Sequence, residues 1–233
     1  MWESAASASD ITRVVLVQPS IYGNDNRALV RALHKSSRVH RGVAVIDGQT
    51  SNAQLNAMHT LGVRGARYNL VSPVGNALDE IDATVDRIRA LGWHLQFYLT
   101  PKHYAWLLAR QRAWRVPVVL DHMAGLTLTS TVADLQLLCA LGDGGAWIKF
   151  SGYYRLGFTP PFDAVGGIIQ LLTPQFAGRM LWGSDAPHSW FMEPGRENLA
   201  KPSYADLLGA LTSNASAALQ QSILCDAPAA LYG

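Results

Sequence analysis

The chain has 233 residues, of which 49% are hydrophobic and 15% are charged. This length suits one large domain or two small ones, and the apolar content is enough for a sizeable core. Nineteen Lys and Arg against seventeen Asp and Glu give a net charge of +2, which argues against an electrostatic nucleic-acid-binding surface. Two cysteines, no signal-peptide pattern and no apolar run of membrane-spanning length lead us to expect a cytoplasmic protein without a membrane partner.

Seven short apolar segments at regular spacing predict β-strands. They cover residues 13–18, 42–46, 63–69, 94–99, 116–121, 146–151 and 180–184. Most are rich in Val, Ile, Leu and aromatic residues, as buried parallel strands are, and the third is more polar than the others.

Helical patterns fill the intervals between these segments. They cover residues 27–36, 52–61, 77–91, 104–114, 131–141 and 162–172, and residues from Tyr204 onward have the pattern of terminal helices. Regular alternation of strand and helix predicts an all-parallel sheet built from βαβ units. The alternation alone fits both an open doubly wound sheet and most of a barrel. The sequence contains neither of the common glycine-rich nucleotide-binding motifs.

Polar side chains gather where the predicted strands end. In both open α/β sheets and barrels this edge holds the active site. The strand-end residues include Ser20, Arg67, Tyr98, Asp121, His122, Lys149, Arg155, Asp185 and His188. Asp121 and Lys149 fit a structural role as well as a functional one. His94 fits a buried core position as well as the site, whereas His34, His40, His59 and His103 are expected at the surface.

Seven motifs in chain order resemble those of the amidohydrolase superfamily, in particular the amidohydrolase-2 family of 2-pyrone-4,6-dicarboxylate lactonase-like enzymes. The motifs are VQPSIYGNDN (17–26), GVRGARYNL (62–70), GWHLQFYL (92–99), VVLDHM (118–123), WIKFSGYYRL (147–156), LWGSDAPH (181–188) and APAALYG (227–233). The resemblance implies one (β/α)8 TIM-barrel-like domain over residues 1–233, with 1–10 unassigned. The seven predicted strands would then be the second to the eighth.

The resemblance also implies hydrolysis of a small cyclic ester that carries carboxylates, a reaction of aromatic catabolism. Asp185 would be the general base that activates water, and His122 would lie beside the scissile carbonyl. Arg67 and Arg155 match arginines that bind substrate carboxylates, and paired guanidinium groups suit a dicarboxylate.

Three further residues match the family's polar positions or lie in its motifs. Ser20 and Tyr98 match polar contacts to the substrate, and His188 would orient Asp185 or contact the ligand. A carboxylated small molecule is thus the expected partner, and a homo-oligomer that covers an open sheet edge is compatible with the sequence.

The superfamily's first strand ends in His-x-His, and no two histidines of this chain have that spacing. We therefore expect a barrel that is incomplete at its N-terminus. No cofactor is certain. A zinc ion is considered only for a full-length parent, because His122 and Asp185 alone are fewer than the three protein ligands that catalytic zinc usually has. The alternatives are a decarboxylase of the same superfamily and a non-catalytic carboxylate-binding protein.

Overall fold

A computed structural model describes residues 6–36, 40–71, 80–196 and 198–233. Seven parallel strands form one curled sheet in which the order of strands follows the chain. The strands are β1 (Val15–Val17), β2 (Arg41–Ala44), β3 (Val63–Asn69), β4 (His94–Tyr98), β5 (Val118–Leu120), β6 (Trp147–Phe150) and β7 (Met180–Trp182). The predicted TIM-barrel-like α/β fold is confirmed, with seven strands in the described residues and with β1 and β7 at the two ends of the sheet.

Helices follow the strands as the pattern predicts. The α-helices are Arg27–Lys35, Asn52–Thr60, Glu80–Ala90, Tyr104–Leu108, Gln111–Trp114, Val132–Asp143, Val165–Phe176, Tyr204–Thr212, Ala217–Gln221 and Ala227–Tyr232. The predicted helix 104–114 is in fact two short helices, and residues 77–79 of the predicted helix 77–91 lie outside the described residues. In the described part of the chain, no helix has the length and apolar character that crossing a membrane requires.

The main core lies between the convex face of the sheet and the helices. On β4, Leu95 and Phe97 are fully buried in this core. Successive side chains of a strand point to opposite faces, so His94, Gln96 and Tyr98 face the concave side. The same alternation puts the polar residues of the other strands on the concave side, where the predicted site is expected.

The C-terminal helix closes the amino-terminal end of the concave side. Tyr232 belongs to a small apolar cluster there with Val43 and Leu181. Its ring meets the edge of the His94 ring at 5.3 Å between centroids. Arg41, the first residue of β2, donates to the carbonyl oxygens of Tyr232 at 3.0 Å and Gly233 at 2.9 Å. This floor leaves the carboxyl-terminal edge of the sheet for the site.

One surface prediction was wrong. His40 is buried, with 5% of its surface exposed, because it directly precedes β2 and lies beside Val14, the residue before β1. Its Nδ1 accepts a hydrogen bond from the backbone N–H of Val14 at 3.3 Å.

Candidate active site

All seven predicted site residues lie at the carboxyl-terminal edge of the sheet, on or after six different strands. Ser20 follows β1, Arg67 is on β3, Tyr98 ends β4, His122 follows β5, Arg155 follows β6, and Asp185 and His188 follow β7. Side-chain contacts link them into one site around Asp185.

The two carboxylate oxygens of Asp185 have different surroundings. Oδ2 accepts hydrogen bonds from Arg155 Nε at 2.9 Å and from the Tyr154 hydroxyl at 2.5 Å. Oδ1 lies 3.9 Å from His122 Nε2, too far for a direct hydrogen bond. Burial raises the pKa of Asp185, but His122 and Arg155 outweigh burial and hold the pKa below its usual range. Asp185 is therefore ionised at neutral pH, as a general base must be.

His122 is the buried neighbour of Asp185. Its Nδ1 lies 2.9 Å from Ser151 Oγ, and its ring meets the Tyr98 ring edge-on at 4.8 Å between centroids. Burial lowers the pKa of His122 to about 4, even though Asp185 acts in the opposite direction. The imidazole is therefore neutral at pH 7, and when Ser151 donates to Nδ1, the Nε2 atom carries a proton toward Asp185.

The two arginines are held in the same manner. Arg67 donates through Nε to Asp121 at 3.0 Å and through Nη1 to Ser20 Oγ at 2.9 Å. Arg155 donates through Nε to Asp185 and through Nη1 to the Tyr98 hydroxyl at 3.3 Å. Their guanidinium carbons lie 5.9 and 5.4 Å from the centre of the Tyr98 ring. Among the described residues Nη2 of neither arginine has a hydrogen-bond partner, so both guanidinium groups keep donors for a ligand.

Asp121, for which the sequence allows a structural or a functional role, holds Arg67 in place. It is 1% exposed, and its carboxylate also accepts from Lys149 Nζ at 2.6 Å and from Gln96 Nε2 at 2.9 Å. Burial raises the pKa of Asp121, but Lys149 and Arg67 hold it well below its usual range. Asp121 and Lys149 thus support the site from beneath. The polar character of Gln96 and Lys149 inside apolar strands was the signal for this network.

Tyr154 is a site residue that sequence reasoning missed. It lies in the SGYYRL motif directly before Arg155, and its hydroxyl donates to Asp185. Its ring packs against Phe191 at 4.7 Å and Trp190 at 5.3 Å between centroids. The available signal was two adjacent tyrosines directly before Arg155, a predicted functional residue. Which of the two rings faces Asp185 depends on the geometry of the turn, which the sequence does not specify.

His188 reaches the site through Tyr154. Its Nδ1 lies 3.5 Å from the Tyr154 hydroxyl, and its backbone N–H donates to the carbonyl oxygen of Asp185 at 2.8 Å. In the described part of the chain, its ring has no hydrogen bond to the Asp185 carboxylate. Burial lowers the pKa of His188, so the ring is neutral at pH 7. The His188 ring is therefore linked to the Asp185 carboxylate by hydrogen bonding only through the Tyr154 hydroxyl.

The backbone at the two predicted catalytic residues is left-handed. His122 has φ 51° and Asp185 has φ 54°, and Met123 and Ala124 after His122 have φ 48° and 61°. Non-glycine residues pay for this conformation, and such strain concentrates at functional sites. The left-handed backbone lets the chain turn sharply after β5 and after β7. The side chains of His122 and Asp185 are thereby directed across the edge of the sheet.

The described site does not fit a catalytic zinc ion. Across residues 6–36, 40–71, 80–196 and 198–233, no three His, Cys, Asp or Glu side chains are grouped to hold a metal. His122 and Asp185 provide two side chains, whereas catalytic zinc usually has three protein ligands.

An ionised carboxylate beside a neutral imidazole, at the carboxyl-terminal edge of a parallel α/β sheet, is able to take a proton from water, as a hydrolase requires. The family model Amidohydro_2, described as amidohydrolase, matches residues 3–233. The chain therefore belongs to the amidohydrolase family, as its motifs predict.

The proteins that are similar to this chain include two curated relatives and one solved structure. A 2-pyrone-4,6-dicarboxylate hydrolase of Comamonas testosteroni is 31% identical and covers 94% of this chain and 75% of its own length. A 4-sulfomuconolactone hydrolase of Rhizobium radiobacter is 30% identical and covers 96% and 76%. A crystal structure described as a 2-pyrone-4,6-dicarboxylic acid hydrolase of Pseudomonas putida superposes with a TM-score of 0.87 at 28% identity, covering 100% of this chain and 86% of that one.

Proposed function

We propose that this protein hydrolyses a small lactone that carries carboxylate groups, with 2-pyrone-4,6-dicarboxylate as the first substrate to test. The observation that carries the proposal is the pair of Asp185 and His122, an ionised base and a neutral imidazole 3.9 Å apart, flanked by two anchored arginines. The names of the relatives, a dicarboxylate hydrolase and a sulfonated lactone hydrolase, support the same substrate class.

The charge of the site favours an anionic substrate. Three cationic side chains, Arg67, Arg155 and Lys149, surround two ionised carboxylates, Asp121 and Asp185, which leaves one positive charge in excess. An excess charge inside a cleft attracts and orients a ligand of opposite sign. The free Nη2 groups suit planar carboxylates, which guanidinium groups bind through parallel hydrogen bonds.

In the proposed reaction a water molecule lies between Asp185 Oδ1 and His122 Nε2. Oδ1 takes one proton of the water while the water oxygen attacks the lactone carbonyl carbon. The electron pair of the C=O bond moves to the carbonyl oxygen, where the Nε2–H of His122 or a guanidinium N–H stabilises the charge. The tetrahedral species then collapses, the ring C–O bond breaks, and the leaving oxygen takes the proton from Asp185. One water is consumed and an open-chain acid is formed.

Replacing the base tests the proposal directly. We expect Asp185→Asn to lower kcat/KM for 2-pyrone-4,6-dicarboxylate by about 10²–10⁴-fold, the usual contribution of a general base. The loss of the pyrone absorbance measures turnover, and circular dichroism measures folding. Asp163→Asn, at an exposed carboxylate in the loop before helix Val165–Phe176, is the matched control and should retain full activity.

Two outcomes would contradict the proposed function. Near-normal turnover by a folded Asp185→Asn variant would remove Asp185 from its role as the base. Tight binding of the dicarboxylate in calorimetry without any product, in the unmutated protein, would instead identify a non-catalytic carboxylate-binding protein.

A further inference from the structure

The carboxylate of Asp185 is held asymmetrically. Both of its hydrogen-bond donors, Arg155 Nε and the Tyr154 hydroxyl, reach the same oxygen, Oδ2. The other oxygen, Oδ1, has only the distant His122 Nε2 as a neighbour among these groups. The two oxygens are therefore not equivalent as proton acceptors.

The Tyr154 hydroxyl is fixed in place by its surroundings. Its ring packs against Trp190 and Phe191 of the segment that follows Asp185, and these two rings also contact each other at 4.9 Å between centroids. The Arg155 guanidinium carbon lies 5.7 Å from the centre of the Tyr154 ring. The residue is 4% exposed. Burial raises the pKa of Tyr154, so the hydroxyl keeps its proton and acts as the donor to Oδ2.

We propose that Tyr154 is a positioning residue that makes Oδ1 of Asp185 the oxygen that accepts the water proton. With two donors on Oδ2, a proton on that oxygen would displace a hydrogen bond, whereas a proton on Oδ1 displaces none. The same two bonds stop the carboxylate from rotating, so that Oδ1 stays directed toward His122. This inference rests on the proposed hydrolysis and deepens it, because it assigns the proton to one atom.

The charged and titratable groups that face Asp185 come from three elements. His122 follows β5, Tyr154 and Arg155 follow β6, and His188 follows β7 on the far side of the Tyr154 hydroxyl. Of these groups, the hydroxyl of Tyr154 can be removed while the aromatic ring and every charge stay in place. Tyr154→Phe is therefore the informative variant.

Steady-state kinetics provide the first test. We expect Tyr154→Phe to lower kcat by about 10- to 100-fold, the range for a lost hydrogen bond to a charged group, with KM changed by less than about threefold. Tyr153→Phe is the matched control. Its hydroxyl is buried and makes no hydrogen bond to Asp185 in the described part of the chain, so its removal should leave kcat and KM unchanged. An unchanged kcat in Tyr154→Phe would overturn the inference.

A titration provides a second test that does not need activity. In protein with ¹³C-labelled aspartate carboxyls, the Asp185 signal is the one that Asp185→Asn removes. Loss of the donor should move the titration midpoint of Asp185 upward by about half a pH unit or more in Tyr154→Phe, and not in Tyr153→Phe. An unmoved midpoint in Tyr154→Phe would overturn the inference, whatever the activity of the unmutated protein. The absence of lactone hydrolysis by the unmutated protein would overturn the proposed function.

Discussion

Arg67 and Arg155 are each anchored by one end and free at the other. Each gives Nε to an interior carboxylate and Nη1 to a hydroxyl, and neither Nη2 has a partner among the described residues. Anchoring fixes the direction of the guanidinium plane before a ligand arrives, so less side-chain entropy is lost on binding. A lysine at either position could neutralise the same carboxylate but could not present a second planar pair of donors.

This arrangement predicts a difference between ligands at Arg67. We expect Arg67→Met to weaken binding of pyridine-2,4-dicarboxylate by about 10- to 100-fold and of pyridine-2-carboxylate by clearly less, because one carboxylate contact is lost. Calorimetry measures both affinities. Arg155→Met should likewise weaken binding of the dicarboxylate more than binding of the monocarboxylate. It should also lower kcat, because Arg155 Nε holds Asp185.

Arg64→Met is the matched control for Arg67. Arg64 lies on the same strand, but its guanidinium donates to the carbonyl oxygens of His59 and Val63 and does not contact the site. Equal losses for the mono- and dicarboxylate in Arg67→Met would argue against the assigned carboxylate contact.

At the level of the elements, left-handed backbone has two different uses. After β5 and β7 it directs His122 and Asp185 into the site. Arg115 has the same conformation, with φ 52° and ψ 34°, where it ends the short helix Gln111–Trp114. Arg115 is exposed and lies outside the site, so its strain can be relieved without loss of function.

We expect Arg115→Gly to raise the free energy of unfolding by about 0.5–1 kcal/mol, because glycine adopts positive φ without steric cost. Urea unfolding followed by circular dichroism measures the change, and activity should be unaffected. The control is Arg112→Gly at an exposed position inside the same helix, which should lower the free energy of unfolding by about 0.5–1 kcal/mol. A destabilised Arg115→Gly would show that the arginine side chain outweighs the strain.

The elements themselves could be predicted from sequence, and most of the side-chain partners could not. The strand at residues 63–69 has the predicted bounds, although it was the most polar of the seven. Helix 104–114 was predicted as one piece because its apolar spacing is continuous, but Arg110 turns the chain through a hydrogen bond from its N–H to the carbonyl of Leu107. The bonds that join Asp121 to Arg67 and Tyr154 to Asp185 cross between strands or loops. They depend on sheet register and turn geometry, which hydrophobic periodicity does not specify.

At the scale of the whole molecule, two of the buried histidines, His94 and His122, are neutral in the folded state at pH 7. Burial lowers the pKa of His94 and of His122 to about 4, from an ordinary value of 6.5. Below pH 6.5 the unfolded chain binds protons at these positions that the folded chain does not. The contribution of these two histidines to the free energy of unfolding is therefore fully present above pH 6.5 and is lost as the pH falls toward 4. Carboxylates with lowered pKa, such as Asp121, add their own loss only below about 3.8.

We expect the free energy of unfolding to fall by up to about 3 kcal/mol for each buried histidine between pH 6.5 and 4. Urea unfolding at several pH values measures this slope. His94→Gln keeps a polar side chain that does not titrate, so it should flatten the slope in this range. His34→Gln, at an exposed position on helix Arg27–Lys35, is the control and should leave the slope unchanged. An equal slope in His94→Gln would exclude His94 as a source of acid sensitivity.

The floor of the sheet has a consequence for the order of folding. Every strand pairs with its neighbours in sequence, so the sheet can grow along the chain by short loop closures. The bonds from Arg41 to Tyr232 and Gly233 instead join residues 191 and 192 positions apart, which makes their closure the most costly in chain entropy. We expect these contacts to form late. Because the Tyr232 ring packs against His94, that late step also removes water from the imidazole and establishes its lowered pKa.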